Sequence, residues 1–318
     1  MTYAFDPELA AVIPLLPVVD LDDLASTRTM QAELLTQLAG PDGETDVDVR
    51  DVRVPGPEGA PDVLLRIFSP KGHRPGESAP LPAIYDIHGG GFVLGSIDID
   101  DQRNKELSAG IGAVVVSVEY RLAPEYPFPA PLEDCYAGLV WLADHADELG
   151  VDASRIALFG ISAGGGLAAG LAQLARDRGG PALAFQYLGV PEVDDRLETQ
   201  SMRTFVDTPL WSRPRAIFSW DAYLGAGRRG TDEVSPYAAP ARATDLTGLP
   251  PAYVSAMEFD PLRDESIAYA LALLAAGISV ELHLFPGTFH GSGLVATAEV
   301  SKREAAEGLA VLRKALRV

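Results

Sequence analysis

The strongest indication of the fold lies in residues 156–167, which read Ile-Ala-Leu-Phe-Gly-Ile-Ser-Ala-Gly-Gly-Gly-Leu. The apolar run Ile156–Phe159 predicts a buried strand, and leucines at spacings of four and three predict a helix directly after it. Gly160-Ile161-Ser162-Ala163-Gly164 lies between the two. A Gly-x-Ser-x-Gly turn from strand to helix holds the serine hydroxyl clear of the sheet. The unit therefore predicts a nucleophilic Ser162.

Strand and helix patterns alternate on both sides of this unit. Apolar runs predict further strands at 63–68, 83–87, 113–118, 182–190, 252–257 and 280–285, and helices at 131–149 and 264–276 and after residue 304. In the helix at 264–276, the apolar face is predicted to consist of Ile267, Leu271 and Leu274. Alternation of this length predicts an α/β fold with a mostly parallel central sheet flanked by helices.

Two segments depart from the alternation. The first 45 residues have helical patterns, and residues 194–249 are polar and proline-bearing, without a strand pattern. A connection that long is expected to have structure of its own. We expect residues 1–45 and 194–249 to form a helical cap over the carboxyl end of the sheet, although a peripheral excursion without a role is the alternative. The core then consists of residues 46–193 and 250–318.

Composition excludes several classes of function. The 318 residues contain 25 Lys and Arg against 45 Asp and Glu, a net charge of −20, which disfavours binding to nucleic acid or to an anionic membrane surface. The single cysteine, Cys135, excludes an internal disulfide and a multi-cysteine zinc site. The N-terminus has neither a basic region nor an unbroken apolar run, so we expect a cytoplasmic protein without a spanning helix.

A nucleophilic serine needs a base, and the base needs an orienting acid. Of the five histidines, His290 lies in the loop directly after the last predicted strand, where open α/β sheets place their sites. Asp260 follows the strand at 252–257 and precedes a proline, whereas Asp264 and Glu265 fall in the first turn of the next helix, where acids commonly interact with the helix dipole. The predicted catalytic residues are therefore Ser162, Asp260 and His290.

Attack on a carbonyl group also requires donors for the developing oxyanion. His88-Gly89-Gly90-Gly91-Phe92 follows a predicted strand, and its glycines allow backbone amides to approach a ligand closely. We expect the oxyanion hole to consist of the amides of Gly89, Gly90 and Ala163, with a structural role for His88. A phosphate cradle is the competing interpretation of the glycines, but no Gly-Lys-Ser/Thr follows them.

Together these motifs resemble the bacterial hormone-sensitive-lipase-like carboxylesterases. The similarity covers residues 45–300 and adds Tyr120–Glu125 and Phe128–Ala130 to the motifs around residues 88, 162, 260 and 290. It implies an α/β-hydrolase fold with a helical cap and hydrolysis of short- to medium-chain esters without a cofactor or a metal. It also implies a small-molecule ester substrate and frequent homodimers.

The sequence differs from the family pattern at two positions. Ile161 stands where the family usually has Asp or Thr, and Ser292 stands where an aromatic residue is common, so substrate preference stays open. A related amidase or deacetylase activity also stays open. So does a non-catalytic binding protein on the same fold, because fold does not determine function. Trp211, Trp220 and Phe205 are candidates for the pocket lining or for packing within the cap.

Two cofactor-dependent classes fit the sequence less well. Asp98, Asp100 and Asp101 cluster after Gly95-Ser96, but they lack the complete calcium-loop pattern. The glycines that follow Ser162 give a partial dinucleotide-binding fingerprint, but they fall inside the predicted helix instead of in the turn before it.

Overall fold

The strands form a single eight-stranded sheet in the order β1-β2-β4-β3-β5-β6-β7-β8. The structure is a computed structural model that describes residues 3–16, 20, 21, 23–38 and 46–318. β1 and β2 pair antiparallel, as do β2 and β4, and all other neighbours are parallel. The strands are β1 (Val47–Val54), β2 (Val63–Pro70), β3 (Leu81–Ile87), β4 (Val114–Glu119), β5 (Val151–Ile161), β6 (Phe185–Gly189), β7 (Ala252–Met257) and β8 (Val280–Phe285).

The predicted fold class is confirmed: the sheet is mostly parallel and helices cover it. Its central strands are buried except at the first residue of β3, because both faces carry helices. β1, which was not among the predicted strands, alternates valine with charged residues and lies at an edge of the sheet. The helices are α1 (Pro7–Ala10), α2 (Leu24–Leu38), α3 (Asp101–Ile111), α4 (Ala130–Asp144), α5 (Ala146–Leu149), α6 (Ala163–Asp177), α7 (Gln200–Thr204), α8 (Arg213–Leu224), α9 (Arg263–Ala275) and α10 (Glu299–Leu316).

Alternate residues of the central strands belong to two different apolar cores. On one face, Tyr85 and Leu158 pack in the core that also contains the buried sides of α4, α6 and α9. On the other face, Ile84 and Phe159 pack with the apolar residues of α3 and α10. This is the two-residue period expected of a sheet between two helical layers. None of the helices in the described ranges has the length and apolar composition that a membrane span requires.

The predicted apolar face of α9 is wrong. Leu271 and Leu274 are 55% and 47% exposed, whereas Tyr269, Ala270 and Leu273 are buried. α9 is rich in alanine and leucine around its whole circumference, so spacing alone does not identify the face that meets the sheet. The helix therefore buries Tyr269, Ala270 and Leu273 and leaves Leu271 and Leu274 exposed to water.

The segment at 194–249 carries helices α7 and α8 and a 3₁₀ turn at Pro240–Arg242, and it contains no strand among its residues, all of which the structure describes. Its residues contact loops at the carboxyl end of the sheet: Ser219 donates a hydrogen bond to the Gly91 carbonyl at 2.8 Å. The start of the segment is held by Glu265, whose carboxylate accepts hydrogen bonds from the Val193 and Asp194 amides. The division into cap and core stays a prediction, and residues 39–45, at the first predicted boundary, lie outside the described residues.

Candidate active site

Ser162 lies in a sharp turn between β5 and α6. Its φ of 60° is a left-handed conformation that side-chain-bearing residues rarely adopt, and its amide donates to the Gly189 carbonyl at 2.8 Å. Glycine is required on both sides, because a Cβ at Gly160 would lie 2.2 Å from the Gly164 carbonyl oxygen and one at Gly164 would lie 2.0 Å from that of Ile87. The turn therefore presents the Ser162 hydroxyl above the carboxyl ends of the strands.

The two side chains predicted to assist Ser162 meet it there. His290 Nε2 lies 2.9 Å from Ser162 Oγ, and His290 Nδ1 lies 2.7 Å from Asp260 Oδ2. All three side chains are buried, and Asp260 is completely inaccessible. The second oxygen of the Asp260 carboxylate accepts a hydrogen bond from the Leu262 amide at 2.8 Å, which fixes the carboxylate plane. The arrangement lets the imidazole accept a proton from the serine while the carboxylate holds its other nitrogen.

The loops that carry Asp260 and His290 are tied to each other. The amide of Phe259 donates to the Thr288 carbonyl at 2.9 Å, and the Glu258 carboxylate accepts from the Gly287 amide at 2.7 Å. These loops follow the adjacent parallel strands β7 and β8, so their first residues start side by side. Pairing of the strands thus brings residues 30 positions apart in the sequence into hydrogen-bond contact.

The glycine-rich loop after β3 lies against the same turn. A Cβ at Gly89 would lie 3.6 Å from the Ser162 Cβ and 2.9 Å from the Ile161 carbonyl oxygen, so only glycine allows this approach. Among the described residues, the amides of Gly89, Gly90 and Ala163 donate to no other protein group. Ala163 is also the first residue of α6, at the positive end of the helix dipole. These three amides are available as donors for an oxyanion beside Ser162.

The comparisons with known proteins agree with this geometry. The sequence profile of a family described by the alpha/beta hydrolase fold matches residues 84–293. The carboxylesterase NlhH of Mycobacterium tuberculosis is 39% identical, with 98% of this chain and 96% of that protein aligned. The chain belongs to the α/β-hydrolase family.

Solved structures of other α/β hydrolases are similar over the whole chain. A protein described as a bacterial heroin esterase has 53% sequence identity and a TM-score of 0.95, with 99% of each chain covered. The hyperthermophilic esterase from the archaeon Pyrobaculum calidifontis has 33% identity and a TM-score of 0.85, with 98% of each chain covered. The resemblance to hormone-sensitive-lipase-like carboxylesterases is thereby confirmed.

His88 has a structural position and does not contact Ser162. Its ring is inaccessible and stacks on Tyr120 with ring centres 4.1 Å apart, and its Nδ1 lies 2.8 Å from the Gly89 carbonyl oxygen. Burial lowers the pKa of His88, which favours the neutral ring. The three remaining histidines lie elsewhere: His73 contacts the Leu149 carbonyl, His145 stacks on Trp141 and His283 pairs with Glu307.

The acidic cluster at 98–101 is engaged with arginines. Asp98 and Asp101 bind Arg66 at 2.6 and 3.0 Å, and Asp100 binds Arg103 at 2.8 Å. Asp100 stands at the N-cap of α3, but its side chain makes no capping hydrogen bond. The cluster thus joins β2 to α3 by ion pairs.

Of the three aromatic candidates, Trp211 lies nearest the base. Its ring centre is 5.7 Å from that of His290, and a Cβ at Gly91 would lie 2.5 Å from the indole ring. Trp220 packs against Phe92 within the core that contains α6, and Phe205 packs edge-on against the half-buried Phe259. Trp211 is therefore the residue of the segment at 194–249 that covers both the base and the glycine-rich loop.

Glu192, a buried acid next to the nucleophile turn, was not among the residues predicted from the sequence. Its amide donates to the Ser162 carbonyl at 3.1 Å, and neither carboxyl oxygen forms a hydrogen bond within the described residues. Burial raises the pKa of Glu192 to about 8, an effect that the charge of Asp260 increases and the neighbouring Ser219 hydroxyl decreases. The signal in the sequence was an acid only three residues after an apolar strand, within a turn.

Glu192→Gln is expected to stabilise the protein increasingly as pH rises. Between the ordinary value of 4.5 and about 8, the unfolded chain releases a proton that folded Glu192 retains, so the free energy of unfolding falls with rising pH. We expect the free energy of unfolding of Glu192→Gln to exceed that of the wild type by about 4 kcal/mol at pH 8 and by little at pH 4.5. Urea denaturation of both proteins at pH 5 and pH 8 measures the difference.

The matched control is Glu58→Gln, because Glu58 is exposed. Its effect on the free energy of unfolding is expected to be small and equal at the two pH values. An equal gain for Glu192→Gln at both pH values would contradict a raised pKa.

Proposed function

We propose that the chain is a serine carboxylic ester hydrolase that acts through an acyl-enzyme intermediate. The observation that carries the proposal is the position of the His290 imidazole, 2.9 Å from the Ser162 hydroxyl and 2.7 Å from the Asp260 carboxylate. The names of the similar proteins, carboxylesterase and esterase, support the same reaction.

The first half of the reaction forms the acyl-enzyme. Ser162 Oγ attacks the ester carbonyl carbon while His290 Nε2 accepts the hydroxyl proton, and the Asp260 carboxylate stabilises the resulting imidazolium. The carbonyl oxygen becomes an oxyanion that accepts hydrogen bonds from the amides of Gly89, Gly90 and Ala163. Collapse of this tetrahedral intermediate breaks the bond to the alcohol oxygen, which takes the proton from His290 as it leaves.

The second half of the reaction releases the acid. Water adds to the acyl carbon and gives its proton to His290, and the same three amides hold the second oxyanion. The bond to Ser162 Oγ then breaks, and the serine recovers its proton from His290. The two halves together return Ser162 and His290 to their starting states, so the reaction consumes only ester and water.

The proposed substrates are esters with short to medium acyl chains. The nucleophile is only 7% exposed, and the indole of Trp211 covers the glycine-rich loop beside it. The similarity to a protein described as a bacterial heroin esterase supports an ester substrate. An amidase or deacetylase activity is the alternative within the same mechanism, and a non-catalytic binding protein is the alternative outside it.

A p-nitrophenyl ester series from acetate to octanoate, run beside p-nitroanilides of the same acids, tests the proposal. We expect turnover of the esters that is fastest at short to medium chain length and exceeds anilide turnover. A fluorophosphonate probe is expected to label one residue, and mass spectrometry should map it to the peptide containing Ser162. Faster anilide turnover would favour an amidase, and the absence of both turnover and labelling would favour a binding protein.

The homodimer implied by the family resemblance is also proposed. β8 is the edge strand opposite β1, and it carries the exposed Leu282 and Leu284, while the neighbouring helix α9 carries the exposed Leu271 and Leu274. These four leucines form an apolar surface that pairing of two copies would cover. The cytoplasmic location expected from the sequence stays a prediction.

A further inference from the structure

Arg28, in the N-terminal helix α2, binds the loop that follows β3. Its Nε donates to the Val93 carbonyl at 2.9 Å, and its Nη2 donates to the Ala123 carbonyl at 2.9 Å. Three residues along the same helix, the side-chain oxygen of Gln31 accepts a hydrogen bond from the Gly95 amide at 3.1 Å. One helix thus binds the glycine-rich loop at two points.

A carboxylate fixes the orientation of the Arg28 guanidinium. Glu125 accepts from Nη1 at 2.7 Å and from Nη2 at 3.0 Å, so the contact is bidentate. A planar guanidinium with all its bonds in one plane holds its acceptors in a defined geometry. The side chain of Arg28 is 29% exposed and that of Glu125 is 53% exposed, so we assign the pair a positioning effect and little net stability.

The glycine-rich loop that Arg28 and Gln31 bind has an unusual backbone conformation. Gly90, Gly91, Phe92 and Gly95 all have positive φ, from 58° to 124°. The amides of Val93 and Leu94 donate to the Gly90 carbonyl at 3.2 and 2.9 Å and close a turn. Because Gly90 opens this turn and Val93 closes it, a shift of the Val93 carbonyl reorients the peptide groups at Gly90. Unusual conformations of this kind persist only where surrounding contacts determine them.

We propose that Arg28 is a positioning residue that holds the Val93 turn, and through it the amides of Gly89 and Gly90, in the orientation that binds the oxyanion. The inference rests on the proposed function, which assigns these amides to the oxyanion hole. In this proposal, helix α2 affects catalysis through Arg28 although the helix does not contact the reacting atoms. Arg28 itself touches neither the nucleophile nor its base.

The test compares Arg28→Met with a matched control, Arg176→Met. Arg176 makes the same kinds of contact far from the loop: its guanidinium binds the Asp245 and Thr247 carbonyls at 3.1 and 2.8 Å and the Asp177 carboxylate at 2.7 Å. The side chains of Arg28 and Arg176 are 29% and 24% exposed. Both substitutions thus remove a guanidinium that binds two backbone carbonyls and one carboxylate, through four hydrogen bonds for Arg28 and three for Arg176. Of the two, only Arg28 binds next to the glycine-rich loop.

Arg28→Met is expected to lower kcat for p-nitrophenyl butyrate by about 10- to 100-fold and to leave KM within about threefold, because oxyanion donors act only in the transition state. A trifluoromethyl ketone, which forms a tetrahedral adduct with the serine, should bind more weakly by the same factor. Arg176→Met should change kcat and inhibitor affinity by less than about threefold, since a helix-surface arginine contributes little. Arg28→Lys keeps the charge but loses the fork geometry, so its kcat should lie between wild type and Arg28→Met.

Unchanged kcat and inhibitor affinity in Arg28→Met, with a fall in Tm equal to that of Arg176→Met, would overturn the inference and leave the proposed function intact. An equal loss of kcat in both variants would also overturn it, because the effect would then be general. If Arg28→Met does not fold, the same comparison with Arg28→Lys decides the question. Absence of ester turnover in the wild type would instead contradict the proposed function itself.

Discussion

Ser162→Ala, His290→Ala and the double variant are expected to hydrolyse p-nitrophenyl butyrate at the same residual rate, about 10⁵-fold or more below wild type in kcat. The serine is a useful nucleophile only when the imidazole 2.9 Å away takes its proton, so either loss removes the covalent route completely. What remains in all three is the smaller contribution of the oxyanion donors and of substrate binding. Steady-state kinetics with highly purified protein measures the three rates.

Two control variants separate this effect from general damage. Ser154 is exposed, and its Oγ donates a hydrogen bond to Asp152 Oδ1 at 2.6 Å. Ser154→Ala therefore removes a hydrogen-bonded serine that is not paired with a histidine. His73→Ala removes a half-buried histidine whose Nε2 contacts a backbone carbonyl. Both should keep kcat within about threefold, as surface changes remote from a site usually do. A double variant much slower than either single variant would show that Ser162 and His290 act independently, against the proposed mechanism.

The three candidate catalytic residues could be predicted from the sequence. Each has a local sequence pattern, and the topology of a parallel sheet brings the three positions together. Ser162 follows an apolar strand and precedes a helix, and Asp260 and His290 each follow the end of a predicted strand. Carboxyl ends of parallel strands meet at one edge of the sheet, so residues after them converge without further information. The hydrogen bonds from β7 to β8 then set the separation of acid and base.

Arg28 and Glu192 could not be found in the same way. Arg28 contacts residues 65 and 97 positions away, and nothing in its own helix distinguishes it from a solvated arginine. The raised pKa of Glu192 depends on its complete burial, and this burial results from the packing of α6 against the segment after β6. Both are consequences of tertiary packing that has no periodic signature.

The wrong apolar face of α9 has a related cause. Three large apolar residues at helical spacing predicted a buried stripe, but the sheet surface at β7 and β8 accepts Ala270 and Leu273 instead. Leu271 and Leu274 of the predicted stripe are exposed, in a helix that packs on β7 and β8 at one edge of the sheet. Hydrophobic periodicity thus indicates which residues share a face of a helix, and it does not show which face meets the sheet.

Asp260→Asn is expected to lower kcat by about 10⁴-fold with little change in KM. The Asp260 carboxylate accepts from both the Leu262 amide and His290 Nδ1, and an asparagine can keep only one of these as an acceptor. If its oxygen stays with Leu262, its amide group faces Nδ1 and donates to it. The imidazole then carries its proton on Nε2, pointed at the serine, and cannot act as the base.

Asp264→Asn is the matched control, because Asp264 is a neighbouring carboxylate that also accepts a backbone amide, from Ser201 at 2.7 Å, and binds Arg263 at 2.8 Å. Asp264→Asn also removes one negative charge, but Asp264 has no contact with His290. We therefore expect its kcat to stay within about threefold of wild type. Equal losses in the two variants would assign the effect to negative charge near the site. A loss confined to Asp260→Asn assigns the effect to the contact with His290, because of the two carboxylates only Asp260 binds the imidazole and fixes which of its nitrogens carries the proton.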